Sequence, residues 1–213
     1  YDPITAGAPR YTFDNRVPVA IVLPFRTTSA THYGPYHVGE FYTTIGTLED
    51  RAFAEQTVND IVAGGMADEL NYSGFRVLDE RNAPQFALDE AKLADLCRRL
   101  REKHPEADFA VGGVINRFWA SAKSLFWMVQ VRADVEMTSY VIDVREARIV
   151  FKAPVGGTRD GARQYVGAGR MKMLLQEALQ EAVSKTLRNP QVIEFFMRVA
   201  ARRAALPAET TAG

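Results

Sequence analysis

The sequence predicts an α/β protein with a mixed sheet of about five strands, helices packed on one face, and the element order β-α-β-α-β-β-β-α-α. Short Val- and Ile-rich runs, typical of buried strands, alternate with segments of helical apolar period. Each predicted helix has a single apolar stripe, and such stripes need a common core. A length of 213 residues favours one domain.

The first half of the chain predicts two strands and two helices. Val17 to Phe25 is a short apolar run between prolines, which indicates a buried strand. The polar segment 26–48 predicts a long loop. Thr47-Leu48-Glu49-Asp50 has the form of a capping box, so a helix is predicted over 49–72. A strand over 75–78 and a helix over 88–103 complete this half.

The second half predicts three strands and two helices. In the strand near 126–140, Val129, Val131 and Val135 alternate with polar residues, which is typical of a strand with one buried face. A Gly-rich connection is predicted over 154–169. The other elements are strands at 109–119 and 149–151, a helix over 170–188, and a last helix opened by Asn189 as N-cap and Pro190 at its first position.

No composition break divides the chain into two domains. Residues 1–16 are rich in small residues and proline, so we interpret them as a linker or tether. Residues 17–189 are predicted to form a single α/β domain. Residues 190–213 are predicted to form a C-terminal helix and a frayed tail.

Composition argues against several classes of function. The 26 basic and 26 acidic residues give zero net charge, whereas nucleic-acid binders carry a basic footprint, so we expect no nucleic-acid partner. No apolar run reaches the length of a membrane-spanning helix. The single cysteine, Cys97, lies on an apolar helix face, which predicts a buried and inert thiol.

Catalytic and metal-binding patterns are weak. His32, His37 and Glu40 could ligate zinc, but their spacing on a predicted loop fixes no geometry. Asp134 and Glu136 share the polar face of a strand and are more simply interpreted as surface residues. We therefore expect no catalytic residue, no metal and no cofactor, and the prediction is that the protein is not an enzyme.

Aromatic residues provide two candidate contact surfaces. Tyr33, Tyr36, Phe41 and Tyr42 lie among Gly and Thr residues, a composition that suits adaptable binding, although such a loop could also pack on itself. A second cluster surrounds a predicted hairpin tip. Core packing under a helix is the favoured interpretation of that cluster and an exposed patch is the alternative; its members are Phe118, Trp119, Phe126, Trp127 and Met128.

The last helix is a third candidate contact surface. Phe195 and Phe196 give it more apolar area than a narrow stripe needs, and both rings are expected to be buried. Arg198, Arg202 and Arg203 place positive charge near its C-terminus. We expect the helix to dock on its own domain or on a neighbouring subunit in a homo-oligomer, with the second preferred.

The order of these segments resembles that of a known family. The segment from Val19 to Phe25 is followed by residues 67–77 and then by the segment from Ala107 to Ile115. A helix containing 178–187 closes the domain. Over residues 17–189 this pattern resembles the bacterial envelope lipoproteins of the YajG-like kind. It is also similar to the TolB amino-terminal domain and to the lipoprotein activators of penicillin-binding proteins.

The resemblance implies a periplasmic domain anchored to the outer membrane through a lipidated cysteine upstream of Tyr1. We therefore expect a non-enzymatic interaction or assembly module in a cell-envelope complex for secretion or wall synthesis, with other envelope proteins as partners. One alternative is an auxiliary lipoprotein of a lipid or solute transporter, which needs an apolar ligand pocket. A hydrolase is a third hypothesis and needs a cleft with a perturbed His or carboxylate.

Overall fold

Within residues 10–13, 17–28, 34–163 and 168–205, which the computed structural model describes, the chain forms one mixed sheet of eight strands and four α-helices. This confirms the predicted α/β class. The strands are β1 (Val19–Val22), β2 (Arg26–Thr27), β3 (His37–Tyr42), β4 (Leu48–Phe53), β5 (Arg76–Asp79), β6 (Phe109–Leu125), β7 (Met128–Asp143) and β8 (Arg148–Arg163). The helices are α1 (Val58–Tyr72), α2 (Leu93–Lys103), α3 (Ala168–Leu187) and α4 (Pro190–Ala204).

Strand β6 organises the sheet. Along one edge it pairs in parallel with β1, then β2, then β3, and along the other edge it pairs with antiparallel β7. Strand β5 extends the sheet beyond β1, β4 extends it beyond β3, and β8 extends it beyond β7. We call the end where β6 turns into β7 the tip end and the opposite end the base end.

The sheet has eight strands rather than about five, and the three additional strands all lie within residues 26–53. The long loop predicted over 26–48 and the helix start at residue 49 are therefore wrong. Backbone pairing of β3 with both β4 and β6 holds this segment extended. The helix begins later, where the Thr57 hydroxyl accepts a hydrogen bond from the Asp60 amide at 3.2 Å.

Helices cover both faces of the sheet rather than one. Ala20 and Val22 of β1 face the core beneath α1, α3 and α4, whereas Ile21 and Leu23 face α2. The predicted packing of the helix over 88–103 on the shared face is wrong, because its buried stripe of Leu96, Cys97 and Leu100 lies on the opposite face. Burial on both faces explains why β1 is a continuous apolar run.

The Gly-rich segment predicted as a connection over 154–169 is strand through Arg163. One of its glycines, Gly157, allows α3 to pack closely against β8. A Cβ atom on Gly157 would lie 2.9 Å from the carbonyl carbon of Ala178 in α3, and closer still to the carbonyl oxygen. By contrast, β7 is as predicted, since Val131 and Val135 are fully buried and Val129 is 8% exposed.

Candidate functional site

The tip end carries the most exposed apolar side chains of the described residues. Phe126 and Trp127, in the turn between β6 and β7, are 85% and 74% exposed. Ile45, in the turn between β3 and β4, is 89% exposed, and Met128 is 38% exposed. We call these four residues the tip surface. In the described ranges Met197, at 57%, ranks after Ile45, Phe126 and Trp127 and is more exposed than Met128.

Strand pairing brings the two turns of the tip surface together. Because β3 runs parallel to β6, with Tyr42 opposite Lys123, both strands reach their turns at the same end of the sheet. The hydroxyl groups of Thr44 and Ser124 then lie 3.5 Å apart. Two separate segments of the chain therefore form one surface.

The turn between β6 and β7 has only two residues, because Leu125 pairs with Met128. Phe126 has a φ of +52°, a left-handed conformation that Gly and Asn adopt far more readily than Phe. This conformation is disfavoured by roughly 1–2 kcal/mol for an ordinary residue. The Phe126 ring lies 6.1 Å from the Trp127 ring, centroid to centroid, and both side chains are largely exposed to solvent.

The tip surface is uncharged, and basic side chains flank it on the hairpin formed by β6 and β7. Residues 41–48 and 124–131 contain no acidic or basic side chain. Lys123 and Arg132 lie just outside the second range, and both are exposed. Arg132 donates to Asp134 at 3.0 Å.

The predicted Tyr-rich contact surface does not form as a unit among the described residues. Tyr33 lies outside those residues. Tyr36 is 45% exposed, whereas Phe41 is partly buried against the core. The Tyr42 hydroxyl donates to the Glu40 carboxylate. Since successive strand residues point to opposite faces, Phe41 and Tyr42 cannot present their rings to one partner.

The aromatic cluster predicted near the hairpin divides into two groups. Phe118 is 6% exposed and belongs to the core. Trp119 is half-buried, with its ring edge-on to His37 at 4.8 Å between centroids. Core packing, the favoured interpretation, is therefore correct for Phe118 and wrong for Phe126 and Trp127.

Helix α4 docks on its own domain, so the preference for a neighbouring subunit is wrong for its apolar stripe. Phe195 and Phe196 are each 1% exposed. The Phe196 ring lies 4.7 Å from Phe75 and 5.0 Å from Phe109, centroid to centroid. The two rings are core residues in this structure, and neither offers a surface to a partner.

Part of the predicted linker also belongs to this core. The Tyr11 amide donates to the Ser73 carbonyl at 3.0 Å, and the Tyr11 ring contacts Phe75 and Phe196. Tyr11 and Phe13 are thus packed at the base end, and the tether interpretation does not hold for these two residues.

The arginines at the end of α4 mainly serve the fold. Arg203 Nε donates to the buried carboxylate of Asp108 at 2.7 Å, and Arg202 donates to buried Asp143 at 3.1 Å. Arg198 is exposed beside these pairs and lines an open groove of about 260 Å³. Most of the positive charge predicted for a partner therefore anchors α4 to the base end of the sheet.

The remaining candidates for chemistry have structural partners. His37 is buried between the rings of Phe53 and Trp119, and His32 lies outside the described residues. Burial raises the pKa of the Cys97 thiol, which makes the thiolate scarce at neutral pH. In the described part of the chain, no group of three His, Cys, Asp or Glu side chains could hold a metal ion.

Two buried carboxylates have lowered pKa values. Burial alone would raise the pKa of Glu80, but hydrogen bonds from Lys103 at 2.8 Å and His104 at 2.5 Å lower it overall. Burial opposes ionisation of Asp134 in the same way, and donation by Arg132 and Thr158 lowers the pKa of that group. Both groups therefore remain carboxylates at neutral pH.

Two grooves on the described surface are open to solvent and have charged side chains in their walls. One of about 680 Å³ lies between β8 and α3, where Arg159 and Lys185 pair with Glu181. Another of about 500 Å³ lies between α1 and α3, with Asp60 and Lys172 in its walls. Neither groove is the enclosed apolar pocket that the alternative role in lipid or solute transport requires.

Comparison with known proteins gives structural likeness only. No family model and no curated protein matches the chain. It is similar to the structure of a DUF330-family protein from Xanthomonas campestris, with 12% identity, a TM-score of 0.44 and coverage of 92% of both chains. A PelC dodecamer from Paraburkholderia phytofirmans gives 15% identity and a TM-score of 0.44 over 83% of this chain and 91% of that chain.

Lipoprotein GNA1162 from Neisseria meningitidis is a third similar structure, with 13% identity and a TM-score of 0.37 over 75% of this chain and 94% of that chain. These identities and scores establish no family. Membership of the YajG-like or TolB-like group of envelope proteins therefore stays a prediction from the sequence. Among the described residues, no helix is both long and apolar enough to cross a membrane.

Proposed function

We propose that this protein is a non-enzymatic module of the bacterial cell envelope that docks through its tip surface. The observation that carries the proposal is the concentration of exposed apolar side chains at one end of the sheet. Burial of one such side chain contributes roughly 1.5–3 kcal/mol, so a monomer in water forgoes this gain. Exposed apolar patches of this kind mark contact sites.

The partners of the ionisable groups support docking over catalysis. Glu80 and Asp134 are each bound by cations that lower the pKa of the carboxyl group. Asp108 is held between Arg145 at 3.2 Å and Arg203 at 2.7 Å. A general acid or base works best when its pKa lies near the operating pH. The neighbouring cations lower the pKa values of Glu80 and Asp134 and so move them further from neutral pH.

The envelope location rests on the sequence resemblance described above. We expect export and attachment to the outer membrane through a lipidated cysteine upstream of Tyr1, with envelope proteins in the same assembly. Metabolic labelling of the whole gene product with a fatty acid, followed by cell fractionation, tests this location. Unlabelled protein in the cytosolic fraction would contradict it.

Docking through the tip surface can be tested with purified protein and isolated envelope fragments. We expect the chain to sediment with fragments from its own host. Replacing Phe126 and Trp127 together by Ser should abolish sedimentation. Replacing Met197 by Ser removes an exposed apolar side chain on α4 and should leave sedimentation unchanged. Equal sedimentation of the three proteins, or none by any, would refute the proposal.

A further inference from the structure

We infer that the tip surface inserts into a lipid bilayer, with the Phe126 and Trp127 side chains entering the boundary between headgroups and acyl chains. The inference rests on the proposed function and names what the docking surface contacts. It depends on the charge, shape and rigidity of the two turns.

The absence of charge from both turns favours insertion. Entry into a bilayer removes water from the turn residues, and an ion carried along would oppose the transfer. Residues 41–48 and 124–131 have no charged side chain, and the nearest acidic residues of the β3–β4 hairpin, Glu40, Glu49 and Asp50, lie on the base side of Phe41 and Leu48. Trp is also the side chain that prefers the membrane interface, since its ring is apolar and its N–H is polar.

Shape and area favour a bilayer over a protein partner. The Phe126 and Trp127 rings expose roughly 350 Å² together, whereas a stable protein interface takes about 800 Å² from each partner. The tip surface is formed by two projecting turns, so a protein partner would need a matching cavity. Fluid lipid packs around projecting side chains without one.

The flanking charge complements anionic headgroups. Between residues 119 and 133 the hairpin contains Lys123 and Arg132 and no acidic residue. Arg132 is engaged by Asp134, so we assign headgroup attraction mainly to Lys123. It lies three residues before Phe126, or about 10 Å along an extended strand. That spacing places an ammonium group at headgroup level when the rings lie about 5–10 Å deeper.

The tip is preformed, so docking requires little ordering of the chain. Strands β6 and β7 pair from Phe109 opposite Asp143 to Leu125 opposite Met128. Phe126, in its left-handed conformation, and Trp127 are both exposed at the end of this continuous strand pair. Preorganised contact groups bind more tightly because less conformational entropy is lost.

The test uses the purified full chain and protein-free vesicles of phosphatidylethanolamine and phosphatidylglycerol. Trp119→Phe leaves Trp127 as the sole Trp, so its emission reports on the tip surface. We expect a blue shift on vesicle addition and quenching by lipids with brominated acyl chains. Phe126→Ser together with Trp127→Ser should reduce vesicle partitioning at least about tenfold, with unchanged circular dichroism. Met197→Ser should have no effect on partitioning, and phosphatidylcholine vesicles should bind the protein more weakly.

Three outcomes would overturn the inference. They are no vesicle binding, equal binding by all variants, and binding without a change in Trp127 emission. If the protein does not bind vesicles but still sediments with envelope fragments through the tip surface, the partner is a protein and only the lipid inference is wrong. If both assays fail, the proposed function falls as well.

Discussion

The close contact between β8 and α3 predicts a strong effect of one added methyl group. Gly157→Ala would place a Cβ atom 2.9 Å from the Ala178 carbonyl carbon and 2.9 Å from the Glu181 Cβ. Ordinary van der Waals contact begins near 3.4 Å, so α3 must move away from the sheet by at least about 0.5 Å. The obstacle is helix backbone, which no side-chain rotation relieves.

Overpacking of this kind destabilises a fold by about 1–3 kcal/mol, and a backbone clash belongs at the upper end of that range. For a chain of this length, 1 kcal/mol lowers Tm by about 2–4 °C. We therefore expect Gly157→Ala to lower Tm by roughly 5–10 °C in thermal unfolding followed by circular dichroism.

Gly161→Ala is the matched control on the same strand. A Cβ atom there meets nothing closer than Leu174 Cδ1 at 3.5 Å, an ordinary contact. Its effect on stability should stay within about 0.5 kcal/mol. Equal Tm values for the two variants would refute the packing of α3 on β8.

Three further predictions concern the core, pH dependence and the tip. Phe196→Ala should destabilise the protein by about 3–5 kcal/mol in urea unfolding, and Met197→Ala by less than about 0.5 kcal/mol, so similar losses would contradict the burial of α4. Because the pKa of Glu80 is lowered from its ordinary value of 4.5, ionised Glu80 stabilises the fold at pH values above 4.5. The native protein should therefore have a higher Tm than Glu80→Gln at neutral pH, and this difference in Tm should shrink as the pH falls below 4.5. A difference in Tm that does not change with pH would refute this prediction. Phe126→Asn should raise stability by up to about 1 kcal/mol because Asn tolerates positive φ, and a clear drop in Tm would show that the ring is packed in the fold.

Regular patterns made much of the fold predictable. The continuous apolar run of β1 and the alternating valines of β7 each follow from the faces that those strands bury. Asn189 and Pro190 set the start of α4, and the Asn189 side chain caps the Gln191 amide at 3.0 Å. These signals are local, so a single sequence suffices to detect them.

The errors arose where tertiary pairing outweighs local signals. Strand β3, His37–Tyr42, has no clear alternation, and its extended form depends on pairing with distant β6. Thr47 to Asp50 imitates a capping box inside a strand pair, whereas the cap that operates is Thr57. The amphipathic pattern of α2 predicts a buried stripe and contains nothing to specify which face of the sheet it covers.

The candidate site was predictable only in part. Phe126, Trp127 and Met128 stand out in the sequence as consecutive large apolar residues at a predicted hairpin tip. Ile45 does not, because it is isolated in sequence and joins them only through the parallel pairing of β3 with β6. The two Phe residues of α4 were predicted to be buried, and sequence alone did not establish that the burying surface is their own domain.

Photo-cross-linking in living cells tests most directly whether the protein docks through the tip surface. A photoreactive amino acid placed at position 127, and separately at position 197 as the exposed control, would be irradiated in the native host. We predict adducts with an envelope component, lipid or protein, from position 127 and none from position 197. No adduct from position 127, or the same adducts from both positions, would contradict docking through the tip surface.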